Sequence, residues 1–357
     1  MKKVGIVTLF GNYNYGNRLQ NYAVQEIVRN KGFEPITLVF ETSLIKKLYR
    51  IIKARIASNG NQTIRTRIID KFNKEKITKR LIYAPKGKVC KSLKKRYAFF
   101  LVGSDQVWNP EIRHKERGIF FLDFAYEKQR ICVSPSIGVS SISDEYADCY
   151  RCGLNGFRKL CCREEDGCKE IQRLSNKKCE CLIDPTMALD SKKWREFASE
   201  RSAKIDHNFI LCFFLGKVPQ NVRDTIDVYA SQKKLVVYNI SDYNCAYYGA
   251  DPRELVDLID KSELVFTDSF HITAFSINLN KKFWVFDRVD NSAKANHINS
   301  RIKTLTNLFK LQERYIESNV SLDFIEKDCD FEKANAVLDF ERAKFYDYIC
   351  DVLNEAE

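Results

Sequence analysis

One of the four histidines in this 357-residue chain stands where chemistry is easiest to support. Leu264-Val265-Phe266 is a short apolar run rich in strand-forming residues, and Thr267-Asp268-Ser269 follows it as a polar turn. Phe270 to Leu279 then has the composition of a buried helix, with Ser269 or its neighbours as the side-chain cap. His271 therefore falls in the first turn of a helix at the carboxyl end of a buried strand, the edge where open α/β sheets bind ligands. An imidazole titrates near neutral pH, so it can both give and take a proton there. From position alone, a histidine held by local hydrogen bonds is an equal reading.

Other polar groups follow other apolar runs. Tyr97 to Val102 is a strand that ends in Gly103-Ser104-Asp105-Gln106-Val107-Trp108-Asn109-Pro110. Small and polar residues followed by an aromatic suit a small-molecule or sugar site. Asp105 is placed to hold a hydroxyl or to cap its own loop, and Trp108 to stack on a sugar or to join the core. Leu160-Cys161-Cys162 leads into Arg163-Glu164-Glu165-Asp166-Gly167, where a helix begins. A cation at a helix N-terminus opposes the dipole, so Arg163 requires an anionic partner. The loop Gly11 to Asn17 joins the first strand to a helix stopped by Gly32, and its backbone suits an anion. It lacks G-x-G-x-x-G spacing, which argues against a dinucleotide.

These sites need a scaffold of alternating strands and helices. Lys3 to Leu9, Pro35 to Val39, Tyr97 to Val102, Arg130 to Pro135, Leu160 to Cys162 and Cys179 to Asp184 read as strands of a first domain. Phe209 to Leu215, Leu235 to Ile240, Leu264 to Thr267 and Phe283 to Phe286 read as strands of a second, with a helix opened by Asp251-Pro252. The expected fold is α/β, with two Rossmann-like domains and an interdomain cleft. Residues 1–190 form the first domain, with a basic helical insertion at 43–96, rejoined by a C-terminal helix at 331–357. Residues 191–330 form the second.

The net charge of +12 is not evenly spread, because Ser43 to Arg96 holds 18 Lys/Arg against 2 Asp/Glu. Within it, Leu44, Ile45, Leu48, Ile51 and Ile52 share one helical face. Such a basic amphipathic helix lies on an anionic membrane surface or packs on its own domain with a solvated face. Nucleic acid is not expected, since the chain offers no stacking platform or recognition helix. Seven of the 13 cysteines lie between Cys149 and Cys181. Their spacing gives only one C-x-x-C, so they read as buried thiols rather than metal ligands or disulfides. The N-terminal apolar run is too short for a signal sequence and no window is long enough to span a bilayer, so a cytoplasmic protein is expected.

Read together, these loops resemble the polysaccharide pyruvyl transferase family. The matching stretches are Asn14-Tyr15-Gly16-Asn17-x-Leu19-Gln20-x-Tyr22-Ala23, Val102 to Pro110, Arg163-Glu164-x-x-Gly167, Asp184-Pro185-Thr186, Ser269-Phe270-His271-x-Thr273-Ala274-Phe275-Ser276 and Ser300-Arg301-Ile302. They occur in order over nearly the whole chain. The resemblance implies a GT-B-like arrangement of the two domains. It also implies transfer of a pyruvyl group from phosphoenolpyruvate to a sugar diol, forming a cyclic ketal and releasing phosphate. Phosphoenolpyruvate is then a co-substrate, with no cofactor and no metal. His271 and Asp105 are the catalytic candidates. Arg163, Arg301, Asn17 and Ser269 are those for donor binding, and Asn14, Tyr15, Gln106 and Trp108 those for the acceptor. Some relatives carry an arginine where Ser269 stands, which shifts the donor's counter-charge onto Arg163 and Arg301. Acceptors in the family are often lipid-linked, which would place the protein peripherally on the inner face of the membrane through 43–96. Two rivals stand beside this reading: a GT-B glycosyltransferase using a nucleotide sugar, and a non-catalytic glycan-assembly protein.

Overall fold

The computed structural model describes residues 1–10, 14–41, 43, 61–111, 117–289, 294–317 and 322–354, the side chains of 61–63, 117, 294–298 and 323 excepted. The chain divides into two compact units. The first comprises 1–66, 70–188 and 342–357; the second comprises 67–69 and 189–341. The changeover near the C-terminus thus falls at Glu341/Arg342, inside the last helix rather than at its start.

In the first unit β1 (Lys3–Val7) leads through a loop to α1 (Tyr15–Asn30) and β2 (Glu34–Glu41). Asn14 caps α1, its Oδ1 accepting from the N–H groups of Gly16 (2.8 Å) and Asn17 (3.4 Å). The helix stops at Gly32, where φ is +81° and the Phe33 N–H returns to the Val28 carbonyl. After α2 (Asn61–Lys76) come β3 (Lys79–Tyr83), β4 (Phe99–Val102) and β5 (Arg130–Cys132). All pairings are parallel and the strand order is β3-β2-β1-β4-β5. Residues 43–96 are therefore not a purely helical insertion, since Lys79–Tyr83 supplies the edge strand. The expected amphipathic helix over Leu44 to Ile56 lies outside the described residues.

α3 (Asp144–Asn155), β6 (Leu160–Cys162), α4 (Glu165–Ser175) and β7 (Cys179–Cys181) complete this unit, β6 and β7 pairing in parallel. Buried Cys161, Cys162 and Cys179 occupy these strands as small apolar residues. Among the described residues no group of three or more His, Cys, Asp or Glu is arranged to hold a metal. The strand expected from Arg130 to Pro135 ends at Cys132, because Ser134 turns the chain at φ +45°.

The second unit follows the same logic. α5 (Ser191–Ser199) precedes β8 (Phe209–Phe213), α6 (Gln220–Lys233), β9 (Val236–Asn239), α7 (Pro252–Lys261), β10 (Leu264–Thr267), α8 (Phe270–Asn278), β11 (Phe283–Phe286), α9 (Lys294–Leu308) and β12 (Tyr315–Ile316). The order is β12-β11-β10-β8-β9, again all parallel. Strands β8, β10 and β11 are buried throughout, as near-continuous apolar runs demand in a sheet covered on both faces. Ile210, Phe266 and Trp284 form the centre of that core. Burying each such side chain contributes about 1.5–3 kcal/mol. Asp251 caps α7 in a reciprocal pair with Glu254, Pro252 taking the first helical position. α10 (Phe331–Asn354) ends the described chain. Among the described residues no helix is long and apolar enough to cross a membrane.

Candidate active site

Each five-stranded sheet has one point where the chain reverses its direction of winding, and ligands of such sheets bind beyond the strand ends there. In the first unit that point lies between β1 and β4, and in the second between β8 and β10.

In the first unit, the loops beyond these strand ends are tied side by side. The Gly103 N–H donates to the Val7 carbonyl, the Ser136 N–H to Asp105, the Arg163 N–H to Pro135 and the Leu182 N–H to Cys162. Thr8, Gln20 and Ser104 form a closed buried ring. Gln20 Nε2 donates to Thr8 Oγ1 (2.8 Å), Thr8 Oγ1 to the Ser104 carbonyl (3.2 Å), and the Ser104 N–H to Gln20 Oε1 (3.0 Å). This ring fixes the turn into Asp105, which has φ +69°. Asp105 Oδ2 accepts from Asn17 Nδ2, and Oδ1 accepts from the Gln106 N–H (2.8 Å). A carboxylate has about four acceptor positions, so these two bonds leave room for a hydroxyl.

Gly103 is required at this turn. Its φ is +120°, and a Cβ there would lie 2.2 Å from the Val133 carbonyl oxygen. Gly103→Ala is expected to destabilise the protein by roughly 2–4 kcal/mol, combining backbone strain with overpacking. The midpoint of urea denaturation reads this out, and an unchanged midpoint would contradict the close approach.

Arg163 finds the anion that its position requires. Its Nη1 donates to Asp184 Oδ2 (2.8 Å), with Asp105 Oδ1 and Glu164 Oε2 each 3.9 Å from other guanidinium nitrogens. Burial opposes its charge, but Asp184, Asp105 and Glu164 together hold its pKa above the usual arginine value. With 2% of its side chain exposed, Arg163 is engaged chiefly by Asp184, with Asp105 and Glu164 further out, and so ties the Asp105 turn to Asp184. Asp184 Oδ1 accepts from the Thr186 N–H (3.0 Å) and hydroxyl (2.8 Å), and Ser104 Oγ lies 2.9 Å from Oδ2. Glu164 Oε1 gathers the Ser136 hydroxyl (2.8 Å) and the N–H of Ile137 (2.8 Å).

Of the four acceptor candidates, Trp108 and Tyr15 are buried, whereas Asn14 and Gln106 keep exposed surface. Trp108 is 1% exposed, donates from Nε1 to the Phe120 carbonyl (3.0 Å) and packs between Phe121 and Phe157. It is core and offers no face to a sugar. Tyr15 is buried with Arg65 over its ring, and Asn14 is the exposed cap of α1. Gln106 is half-buried, its Oε1 accepting from Asn109 Nδ2 at 2.7 Å.

In the second unit His271 occupies the second residue of α8, directly beyond β10. It is half-buried, with its ring edge-to-face with Phe270 at 5.5 Å. The first turn of a helix lacks intrahelical acceptors for its N–H groups and carries the positive end of the dipole. Ser269 is the N-cap, but its side chain makes no capping bond, contrary to expectation; its N–H donates to Thr267 Oγ1 (3.0 Å). Arg301 lies buried in α9.

The preceding Asp268 is the residue whose role the sequence does not reveal. It is 1% exposed, and its two oxygens accept from the N–H groups of Leu215 and Gly216, both at 2.7 Å. Arg288, just past β11, sits 3.5 Å from Asp268 Oδ2 and donates from Nη2 to the Asp268 carbonyl (3.2 Å). Asp268 thus clamps the end of β8 to the end of β10 at the switch point and holds Arg288 at the turn that leads into α8. Arg288 is readable by the rule that singles out His271, being a polar residue beyond a buried strand. The Asp268 clamp is not, because it depends on which strand lies next to β10.

Two all-parallel α/β units, each with a polar cluster at its sheet's switch point, define a Rossmann-like protein with ligand-binding edges. Residues 14–291 match the family model of polysaccharide pyruvyl transferases. The chain belongs to that family of transferases. No curated protein sequence matches it significantly. Among solved structures, it is similar to a glycosyltransferase from Rickettsia africae at 9% identity and TM-score 0.47, covering 97% of this chain and 94% of that one. It is also similar to a UDP-GlcNAc 2-epimerase from Neisseria meningitidis at 13% identity and TM-score 0.44, covering 96% and 100%. At these scores neither likeness carries an inference about function.

Proposed function

We propose that the protein transfers the pyruvyl group of phosphoenolpyruvate to two hydroxyls of a sugar in a polysaccharide or lipid-linked glycan precursor, forming a cyclic ketal and releasing phosphate. The observation that carries this, within the family, is His271 in the first turn of α8, which follows directly on the turn where Asp268 holds Arg288.

The donor is an enol ester carrying a phosphate and a carboxylate. Protonation of its methylene carbon creates an oxocarbenium-like centre at the adjacent carbon. One sugar hydroxyl adds there and gives up its proton, phosphate departs with the carbon–oxygen bond, and the second hydroxyl closes the ring with loss of its own proton. An imidazole can deliver the first proton and accept one from a hydroxyl within a cycle. That is the role assigned to His271. The helix N-terminus and a guanidinium suit the donor's two anionic groups. Arg288 and Arg301 are assigned that task, with Ser269 alongside. Asp105, oriented by Asn17, is assigned to an acceptor hydroxyl through its remaining acceptor positions. No metal or organic cofactor enters the scheme. A lipid-linked acceptor would bring the protein to the inner face of a membrane.

Thermal-shift titration tests the donor. Phosphoenolpyruvate should raise the melting temperature and a panel of nucleotide sugars should not. Stabilisation by a nucleotide sugar alone would instead favour a glycosyltransferase.

A further inference from the structure

The first unit contains a cavity of about 570 Å³ that shares no lining residue with the cluster around Asp105 and Arg163. Lys88, Lys91 and Lys94 line it from the connection between β3 and β4; Ile119, Asp123 and Phe124 line it from the connection between β4 and β5. Its size is that of a small-molecule site, and its charge is one-sided. Between Glu75 and Asp105 the chain holds nine Lys/Arg and no Asp or Glu. Asp123 is the only carboxylate among the described residues of the lining, and it already faces the Arg130 guanidinium at 4.0 Å. The Lys94 ammonium stands 3.8 Å from the centroid of the half-exposed Tyr126 ring, which restrains it at the rim.

Several ammonium groups around one concavity repel each other and concentrate anions there. Each presents three hydrogen-bond donors, which matches the oxygens of a phosphate better than a single carboxylate. A concave site admits a discrete group, whereas a planar bilayer would require the charges to lie on a flat or convex face. We propose that this cavity holds a phosphate group of a phosphorylated glycan, as an accessory anchor that shares no residue with the cluster around Asp105. That the phosphate belongs to a glycan rests on the pyruvyl-transfer reading; that the cavity binds phosphate does not.

The test uses inorganic tripolyphosphate as the probe, titrated calorimetrically into the full chain. The triple variant Lys88→Gln/Lys91→Gln/Lys94→Gln is compared with a control, Lys192→Gln/Lys193→Gln/Lys204→Gln, that removes the same charge from exposed lysines of the second unit. The cavity variant should bind at least tenfold more weakly than the wild type, while the control binds as the wild type does and both keep the wild-type circular dichroism spectrum. Equal binding by the cavity variant, or an equal loss in the control, would overturn the proposal. A second arm measures co-sedimentation with phosphatidylglycerol vesicles. If only vesicle binding falls in the cavity variant, the surface serves a lipid headgroup and the glycan assignment is wrong. Phosphate release from phosphoenolpyruvate with a short soluble diol should be unchanged in the cavity variant, so a failure of catalysis is read separately from a failure of anchoring.

Discussion

Replacing His271 by asparagine is expected to lower the rate of phosphate release from phosphoenolpyruvate by roughly 10²–10⁴-fold, the usual contribution of a positioned acid–base group. Asparagine keeps a polar side chain of similar reach but cannot donate and recover a proton near neutral pH. The substitution should leave the fold intact, because His271 is half-buried in the first turn of α8 and the helix core is made by Ile272, Phe275 and Ile277. The informative contrast is between turnover and donor binding. If His271 delivers the proton, turnover falls while phosphoenolpyruvate still stabilises the protein against heat. Arg288→Met should do the reverse and weaken donor binding foremost, because it removes a positive charge beside the helix end without touching the imidazole. A His271→Asn enzyme with wild-type turnover would remove the acid–base assignment altogether.

The second large effect is on stability. Asp184 has no exposed side-chain surface and faces Arg163, which is itself almost wholly buried. Asp184→Ala takes the closest partner from the buried guanidinium, the carboxylates of Asp105 and Glu164 standing at 3.9 Å, and removes an acceptor of the Thr186 hydroxyl, while the Ser104 hydroxyl keeps the Ser134 carbonyl. Breaking a buried pair in this way costs on the order of 3–5 kcal/mol, which corresponds to a melting temperature lower by roughly 10 °C for a unit of this size. The double variant Arg163→Met/Asp184→Ala should recover part of the loss, since no buried guanidinium is left without its closest partner. Calorimetric melting of the single and double variants checks both statements. Additive losses would show that the two side chains act independently.

Much of the architecture can be read from the chain because the sheets are parallel and covered on both faces. β4, β8, β10 and β11 are plain apolar runs, and α1 and α7 carry their own stop and start residues in Gly32 and Asp251-Pro252. β3 escapes notice for the opposite reason. As an edge strand it exposes Lys79, Arg80, Leu81 and Tyr83, so it shows neither an apolar run nor a buried face.

The sites are legible by position and not by partnership. His271 stands at a strand's carboxyl end as its neighbours in sequence require, and Arg163 has the anion that its helix end demands. Which anion cannot be read, because Asp184 arrives from the end of another strand. Trp108 misleads because a polar loop surrounds it in sequence, while in space Phe121 and Phe157 do. Asp268 looks like one polar residue of a turn. Only the adjacency of β8 and β10 turns it into the clamp for Leu215 and Gly216.

Pyruvyl transfer itself is tested most directly by incubating the purified protein with phosphoenolpyruvate and a cellular glycan-lipid extract. Inorganic phosphate and the mass of the glycans are followed together. Ketal formation at His271 requires one phosphate released for each glycan that gains the mass of a pyruvate less one water, with both signals absent in His271→Asn. Phosphate release without a mass gain, or a gain equal to a whole sugar drawn from a nucleotide sugar, would contradict it.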